Sequence, residues 1–146
     1  EFIKVEDNRI PDIVKTSGGS IRRSNEMKED TVSELMEVET GLWKAVMSGR
    51  MGEQLAWAQN LPSDRVFADH LLQNAQSTWR NAMLISAGNK QPNNEIENTI
   101  SQNISDFTLF EKGLIIFEDL MYENSRNPLW NLFWTSIPLK LNALFR

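Results

Sequence analysis

Apolar residues recur at spacings of three and four along most of this chain, and no other feature limits its fold as strongly. Between residues 30 and 145 these apolar stripes are separated by short segments rich in glycine, proline and asparagine. Residues three and four apart lie on the same face of an α-helix, so each stripe predicts an amphipathic helix. The chain is therefore predicted to be all-α, a bundle of five to six helices joined by short loops.

Local signals predict where these helices begin and end. Thr31 and Glu34 form a capping-box pattern (TVSE), in which the hydroxyl and the carboxylate satisfy free amide donors at a helix start. A glycine directly after a stripe predicts a stop, because glycine readily adopts the left-handed conformation that closes many helices. Asparagine followed by proline predicts an N-cap with proline at the first helical position. The predicted starts are Thr31, Pro62 with Ser63, Asn94 with Glu97, Ser105 with Asp106, and Asn127 with Pro128, and the predicted stops are Gly49 and Gly88.

The first 28 residues follow a different pattern. Two short β-prone runs (FIKV and DIVKT) flank a turn-like stretch, and SGGS at residues 17–20 interrupts any regular element. The predicted organisation is an extended or hairpin-like arm over residues 1–28, followed by an α-helical domain over residues 29–146. The arm's KTSGGSIRRS stretch combines glycines, hydroxyls and arginines, which can hold phosphate through backbone amides and guanidinium groups. Arg22, Arg23 and Ser24 are predicted as an anion-binding or phosphorylation site, with a polar connector as the alternative.

Composition limits the chemistry that the chain can carry. The absence of cysteine excludes disulfides, thiol nucleophiles and thiolate metal sites, and it fits a cytoplasmic or other reducing intracellular compartment. The net charge is −5, and residues 29–126 carry seven Lys/Arg against fifteen Asp/Glu. An acidic surface repels a phosphate backbone, so the helical part is not expected to bind nucleic acid directly.

No catalytic, cofactor-binding or metal-binding residue is predicted, and we expect the chain not to be an enzyme. The single histidine, His70, follows Asp69 on a predicted helix, where neighbouring side chains point about 100° apart. Asp69 is therefore poorly placed to orient the imidazole, and a surface or half-buried helical histidine is favoured over a general base. A solvated acidic face is likewise favoured over a cation site for four carboxylates that share one predicted helix. These are Glu111, Glu118, Asp119 and Glu123.

The C-terminal stretch is unusually apolar. Residues 127–139 carry no charge, and two of the chain's five tryptophans lie here. Thirteen uncharged residues interrupted by polar side chains are too few for a membrane span, which needs about 20 mostly apolar residues. One stripe continues to Phe145, while Leu132 and Leu139 lie off that stripe, so this helix is apolar on more than one face and is predicted to contact a partner. The predicted partner-binding residues are Trp130, Leu132, Phe133, Trp134 and Leu139.

One segment resembles a known family. The stretch FEDLMYENSRNPLWNLFWTSIPLKLNAL is similar to part of the FadR-type C-terminal domains of GntR-family bacterial regulators, where a phenylalanine on a long helix precedes a small-residue–Asn-Pro-Leu break and another amphipathic helix. Phe117, Ser125 and residues 127–129 carry the resemblance. It implies an all-α, dimerising, ligand-sensing domain with a pocket lined by Trp79, Phe107 and Phe117. The places where many of those domains hold Asp and His as metal ligands are occupied here by Leu114 and Glu118.

Two functional hypotheses follow from these patterns. The first is a non-enzymatic α-helical module for protein–protein interaction or oligomerisation, with the aromatic C-terminal helix as its contact surface. The alternative is the small-molecule-sensing regulatory domain that the resemblance implies. The first predicts a protein partner or self-association and no cofactor, whereas the second predicts a bound small molecule.

Overall fold

The predicted all-α bundle is confirmed. A computed structural model describes residues 29–104 and 106–145, and the predicted arm over residues 1–28 lies outside them. Within the described residues six α-helices follow one another without a β-strand. They are α1 (Glu29–Ser48), α2 (Met51–Ala58), α3 (Arg65–Ser86), α4 (Glu95–Asn103), α5 (Phe107–Asn124) and α6 (Trp130–Asn142), and a short 3₁₀ helix over Ala143–Phe145 extends α6.

Helix α3 lies at the centre of the bundle, where it packs against α1, α4 and α5. Helix α6 closes the opposite side, packing against α1, α2 and α5. Helices α1 and α3 meet at the indoles of Trp43 and Trp79. Both rings are fully buried, and they stack with centroids 6.1 Å apart and planes inclined by 8°. The Trp79 indole N–H donates to the carbonyl of Phe110 over 2.8 Å, so the polar atom of this buried ring is satisfied.

Several helix ends form as the local signals predict. The Asn94 side chain accepts the N–H of Glu97 over 2.9 Å, and Asp106 accepts the N–H of Thr108 over 2.9 Å. Gly49 and Gly88 have positive φ angles of 69° and 82°. At Gly88 the closing bonds are those of a Schellman motif, because its N–H donates to the carbonyl of Ile85 and the next N–H donates to that of Leu84.

Two predicted starts in the first half of the chain are wrong. Helix α1 already includes Glu29, so Thr31 lies within the helix instead of capping it. Helix α3 is capped by Asp64 and not by Ser63, since the Asp64 carboxylate accepts the N–H groups of Val66 and Phe67. An aspartate is as effective an N-cap as a serine.

Candidate interaction surface

One face of α6 is part of the hydrophobic core. Its indole anchor is Trp134, which donates its N–H to the carbonyl of Pro62 over 3.1 Å and meets the rings of Trp57 and Phe67 edge-on. These contacts attach α6 to α2 and to the start of α3. The buried residues of α6 are Phe133, Trp134, Ile137, Pro138 and Leu141.

The predicted start of α6 at Asn127 and Pro128 is wrong, and a tertiary contact is the reason. Helix α6 begins at Trp130, and its N-cap, Leu129, makes no side-chain capping bond. The Asn127 side chain accepts a hydrogen bond from the Arg65 guanidinium instead, with its backbone at φ 54°. Asparagine is one of the few residues that adopt this left-handed conformation readily. Asn127 therefore connects the end of α5 to the start of α3 and leaves α6 to begin later.

The opposite face of α6 exposes leucines among uncharged polar residues. Leu132 is 66% exposed and Leu139 is 36% exposed, and seven residues of separation place both on the side away from the core. Leu129, three residues before Leu132, is 73% exposed. The intervening side chains at this face are uncharged, and the only charged residue within α6 is Lys140. We call Leu129, Leu132 and Leu139 the leucine face.

The structure divides the five predicted partner-binding residues between two environments. Phe133 and Trp134 are buried within the chain, so their side chains contribute to the core. Trp130 is half-buried, and its ring packs against both of them at centroid distances of 5.5 Å and 6.0 Å. Leu132 and Leu139 remain available to a partner, and whether they bind one stays a prediction. Leu129 was not among the predicted residues, although its spacing from Leu132 could have identified it.

The other sequence candidates lie at separate places in the structure. His70 is buried in α3, deeper than the surface or half-buried position predicted for it. The four carboxylates of α5 are exposed, and no group of three or more His, Cys, Asp or Glu side chains between residues 29 and 145 is arranged to hold a metal ion. Arg22, Arg23 and Ser24 lie outside the described residues, so the anion or phosphorylation site stays a prediction.

The pocket implied by the FadR-type resemblance does not form from the three aromatic residues expected to line it. Trp79 and Phe117 are fully buried, whereas Phe107 is exposed at the first position of α5. A shallow pocket of about 410 Å³ lies elsewhere, on the outer face of α1. Its lining includes Met36, Gly41 and Lys44.

A polar cluster that the sequence reasoning missed joins α1, α3 and α4. The Glu39 carboxylate on α1 accepts hydrogen bonds at its Oε2 atom from the Thr78 hydroxyl and from the Trp43 indole. Burial raises the pKa of Glu39; these two hydrogen bonds oppose the rise, and the charge of Glu97 on α4 adds to it. Glu97 is itself buried, and it accepts hydrogen bonds from the Asn81 side chain on α3 and from the N–H of Asn93.

Glu39 lies in the middle of the apolar stripe of α1, between Leu35 and Trp43. A carboxylate at a stripe position is the signal that could have marked this cluster. We call Glu39, Thr78, Asn81 and Glu97 the carboxylate cluster.

No protein-family model, no curated protein and no solved structure matches this chain. The resemblance to FadR-type domains therefore depends on the residues quoted for it. None of the helices between residues 29 and 145 combines the length and the apolar character needed to cross a membrane.

Proposed function

We propose that this chain is a non-enzymatic α-helical interaction module that associates with a second copy of itself through the leucine face. The observation that carries the proposal is the exposure of Leu132 and Leu139 on the outer side of α6, with the exposed Leu129 at its N-cap, while the inner side of the helix packs in the core. Single exposed leucines are ordinary on protein surfaces and need no explanation. Three exposed leucines, with uncharged neighbours, make a contact strip.

The charge of the chain favours a second copy as the binding partner of the leucine face. The chain has a net charge of −5, so two copies repel each other over most relative orientations. The leucine face has no acidic residue in α6 beside it, and the one charge in that helix is positive. It is therefore a surface on which two acidic copies can approach with little repulsion. A two-fold, antiparallel arrangement would bring Leu132 of one copy beside Leu139 of the other.

The small area of the leucine face limits the affinity expected for the dimer. Helix α6 has 13 residues, which corresponds to a length of about 20 Å. Two such faces bury less surface than the ~1,200–2,000 Å² of a stable complex. The expected dimer is therefore weak, with a dissociation constant of roughly 10 µM to 1 mM.

Sedimentation velocity over a wide range of protein concentration tests the proposal. We expect the wild type to show a concentration-dependent monomer–dimer equilibrium and Leu132→Glu to remain monomeric, because the substitution would bury a carboxylate in an apolar contact. Glutamate is a good helix former, and Leu132 is exposed, so α6 should still form. Ile115→Glu is the matched control, since Ile115 is 56% exposed on the outer face of α5.

Three outcomes would contradict self-association through the leucine face. A wild type that stays monomeric at all concentrations removes its basis. If Leu132→Glu and Ile115→Glu reduced the dimer fraction equally, the loss would not be specific to the leucine face. Binding of the monomer to lipid vesicles, lost in Leu132→Glu, would assign the face to a membrane surface and not to a second copy.

A ligand-sensing regulatory domain is the second candidate function. It is supported by the Asn127–Leu129 break between α5 and α6, which follows the order of the FadR-type pattern, and by the pocket on α1. Lys44 in that pocket is suited to pair with a carboxylate or phosphate group of a ligand. A thermal-shift screen of organic acids and acyl-CoAs should then raise the melting temperature, and Lys44→Ala should reduce the rise more than Lys112→Ala, an exposed control on α5. An unchanged melting temperature across the screen would exclude this candidate.

A further inference from the structure

The outward side of α5 carries two large apolar side chains at its centre. Ile115 is 56% exposed and Tyr122 is 63% exposed, and a separation of seven residues places them on one side of the helix, two turns apart. The core contacts of α5 lie on its opposite side, through the buried residues Phe110, Gly113, Phe117, Leu120 and Asn124. Ile115 and Tyr122 are therefore directed away from the bundle.

Four exposed carboxylates border these two side chains. At about 100° per residue, Glu111 and Glu118 lie on one side of Ile115 around the helix axis. Asp119 and Glu123 lie on the other side. We call these four residues, with Ile115 and Tyr122, the α5 face.

Within the part of the chain that the structure describes, none of the four carboxylates forms an ion pair. The one ion pair there joins Arg50 and Glu53, at the start of α2. Lys112 is the single cation of α5 itself. The α5 face is therefore an apolar centre between two rows of unpaired negative charge. This pattern is complementary to a helix whose apolar stripe is flanked by lysine and arginine.

The Tyr122 ring already holds a guanidinium group. The Cζ atom of Arg126 lies 5.4 Å from the centroid of that ring, and its Nη1 atom donates to the Tyr122 hydroxyl over 3.1 Å. A cation over an aromatic ring is attracted by the negative charge of the ring face. Since Tyr122 stays largely exposed with Arg126 in place, a cation of a partner can also reach the ring.

We propose that the α5 face binds a basic amphipathic helix of a second protein. The apolar stripe of that helix packs on Ile115 and Tyr122, whose spacing of two turns matches the i, i+7 repeat of a helical partner. Its lysines and arginines pair with the carboxylates on both sides. A second copy of this chain is not the occupant, because two α5 faces repel each other. The contact is separate from the leucine face of α6, and it leaves Ile115 free when this chain is studied alone.

Fluorescence anisotropy with a labelled synthetic peptide tests the proposal. The probe is a leucine–lysine peptide of about 18 residues, the length of α5, with leucines at spacings of three and four. A scrambled peptide of the same composition lacks that spacing and is the matched control. We expect the amphipathic peptide to bind with a dissociation constant of roughly 1–100 µM and the scrambled peptide to bind about tenfold more weakly. Equal binding of the two peptides would reduce the contact to charge alone and would overturn the proposal.

Two pairs of variants locate the peptide on the chain. Ile115→Ser should weaken binding roughly tenfold, whereas Leu84→Ser, at an exposed aliphatic side chain of α3, should bind as the wild type. Glu118→Gln should weaken binding roughly two- to fivefold. Glu37→Gln removes the same charge from an exposed position on α1 and should have a smaller effect. All four positions are exposed, so each variant should keep the melting temperature of the wild type within a few degrees.

Three results would overturn binding at the α5 face. The first is a loss of affinity in Leu84→Ser or Glu37→Gln as large as that in its partner variant. The second is binding that Ile115→Ser and Glu118→Gln leave unchanged. The third is a loss in Leu132→Ser with Ile115→Ser unaffected, which would place the peptide on the leucine face.

Discussion

At the scale of single residues, the tightest contact of the core involves a glycine. Gly113 on α5 faces the Trp79 ring, and a Cβ atom at that position would overlap the indole. The ring cannot move away easily, because it is stacked on Trp43 and its N–H is bound to the carbonyl of Phe110. Glycine is therefore required here for close approach, within a helix whose intrinsic propensity would favour almost any other residue.

Gly113→Ala should lower the free energy of unfolding by about 1–3 kcal/mol, because the extra methyl group overpacks a rigid contact. Urea titration followed by circular dichroism measures this change. Gly52→Ala is the matched control: Gly52 lies within α2, and nothing lies within 4 Å of the added Cβ. It should stabilise the protein by roughly 0.5–1 kcal/mol through helix propensity alone. Equal effects of the two substitutions would contradict the close approach of α5 to Trp79.

Trp43 contributes to both the hydrophobic core and the carboxylate cluster. Its ring lies in the core stack with Trp79, and its N–H donates to Glu39 over 3.0 Å in the carboxylate cluster. Helical periodicity identifies Trp43 as a core residue because that property depends on its own helix. Its hydrogen bond to Glu39 is also local, because the two residues are four positions apart. The pKa of that carboxylate, however, also depends on Thr78 and Glu97, which are distant in sequence.

At the scale of elements, several helix ends that depend only on nearby residues were predicted correctly. The stop at Gly88 needs only its own chain neighbours, since the Schellman bonds connect residues 84–89. The starts at Asn94 and Asp106 likewise use amides two or three residues away. The start predicted at Asn127 failed because Arg65, 62 positions earlier, competes for the same side chain.

Gly88→Ala should destabilise the protein by about 1 kcal/mol, since a Cβ atom is strained at φ 82°. Thermal unfolding monitored by calorimetry gives the measurement. Gly88→Asn should cost clearly less, because asparagine tolerates the left-handed conformation. Nothing lies within 4 Å of a Cβ atom added at Gly88, so steric overlap does not contribute to the difference between the two variants. A loss for Gly88→Asn as large as that for Gly88→Ala would rule out this explanation.

At the scale of the whole molecule, charge and the leucine face act together. The net charge of −5 keeps copies apart, while the exposed side of α6 supplies an uncharged contact. The balance between them depends on ionic strength, because salt screens the repulsion and leaves apolar contacts intact.

Self-association through the leucine face should therefore strengthen with salt. Between ~0.01 M and ~0.1 M salt the screening length falls from about 30 Å to about 10 Å, so the repulsion between two acidic copies weakens. Sedimentation velocity at both ionic strengths should show a larger dimer fraction at the higher one, with Leu132→Glu monomeric at each. Association that weakens as salt is added would indicate contacts between opposite charges and would argue against the leucine face.

The all-α class, the number of helices over the described residues and the helix ends at Gly49, Gly88, Asn94 and Asp106 were determined by the sequence alone, because periodicity, caps and glycines act over a few residues. Only the tertiary structure decided which of the apolar residues of α6 remain exposed: Phe133 and Trp134 face the core, whereas Leu132 and Leu139 do not. It also decided that the Glu39 carboxylate accepts a hydrogen bond from Thr78 and that Asn127 binds Arg65. These features depend on helices that are distant in sequence, and burial and pairing between such helices follow from packing, which no local pattern encodes.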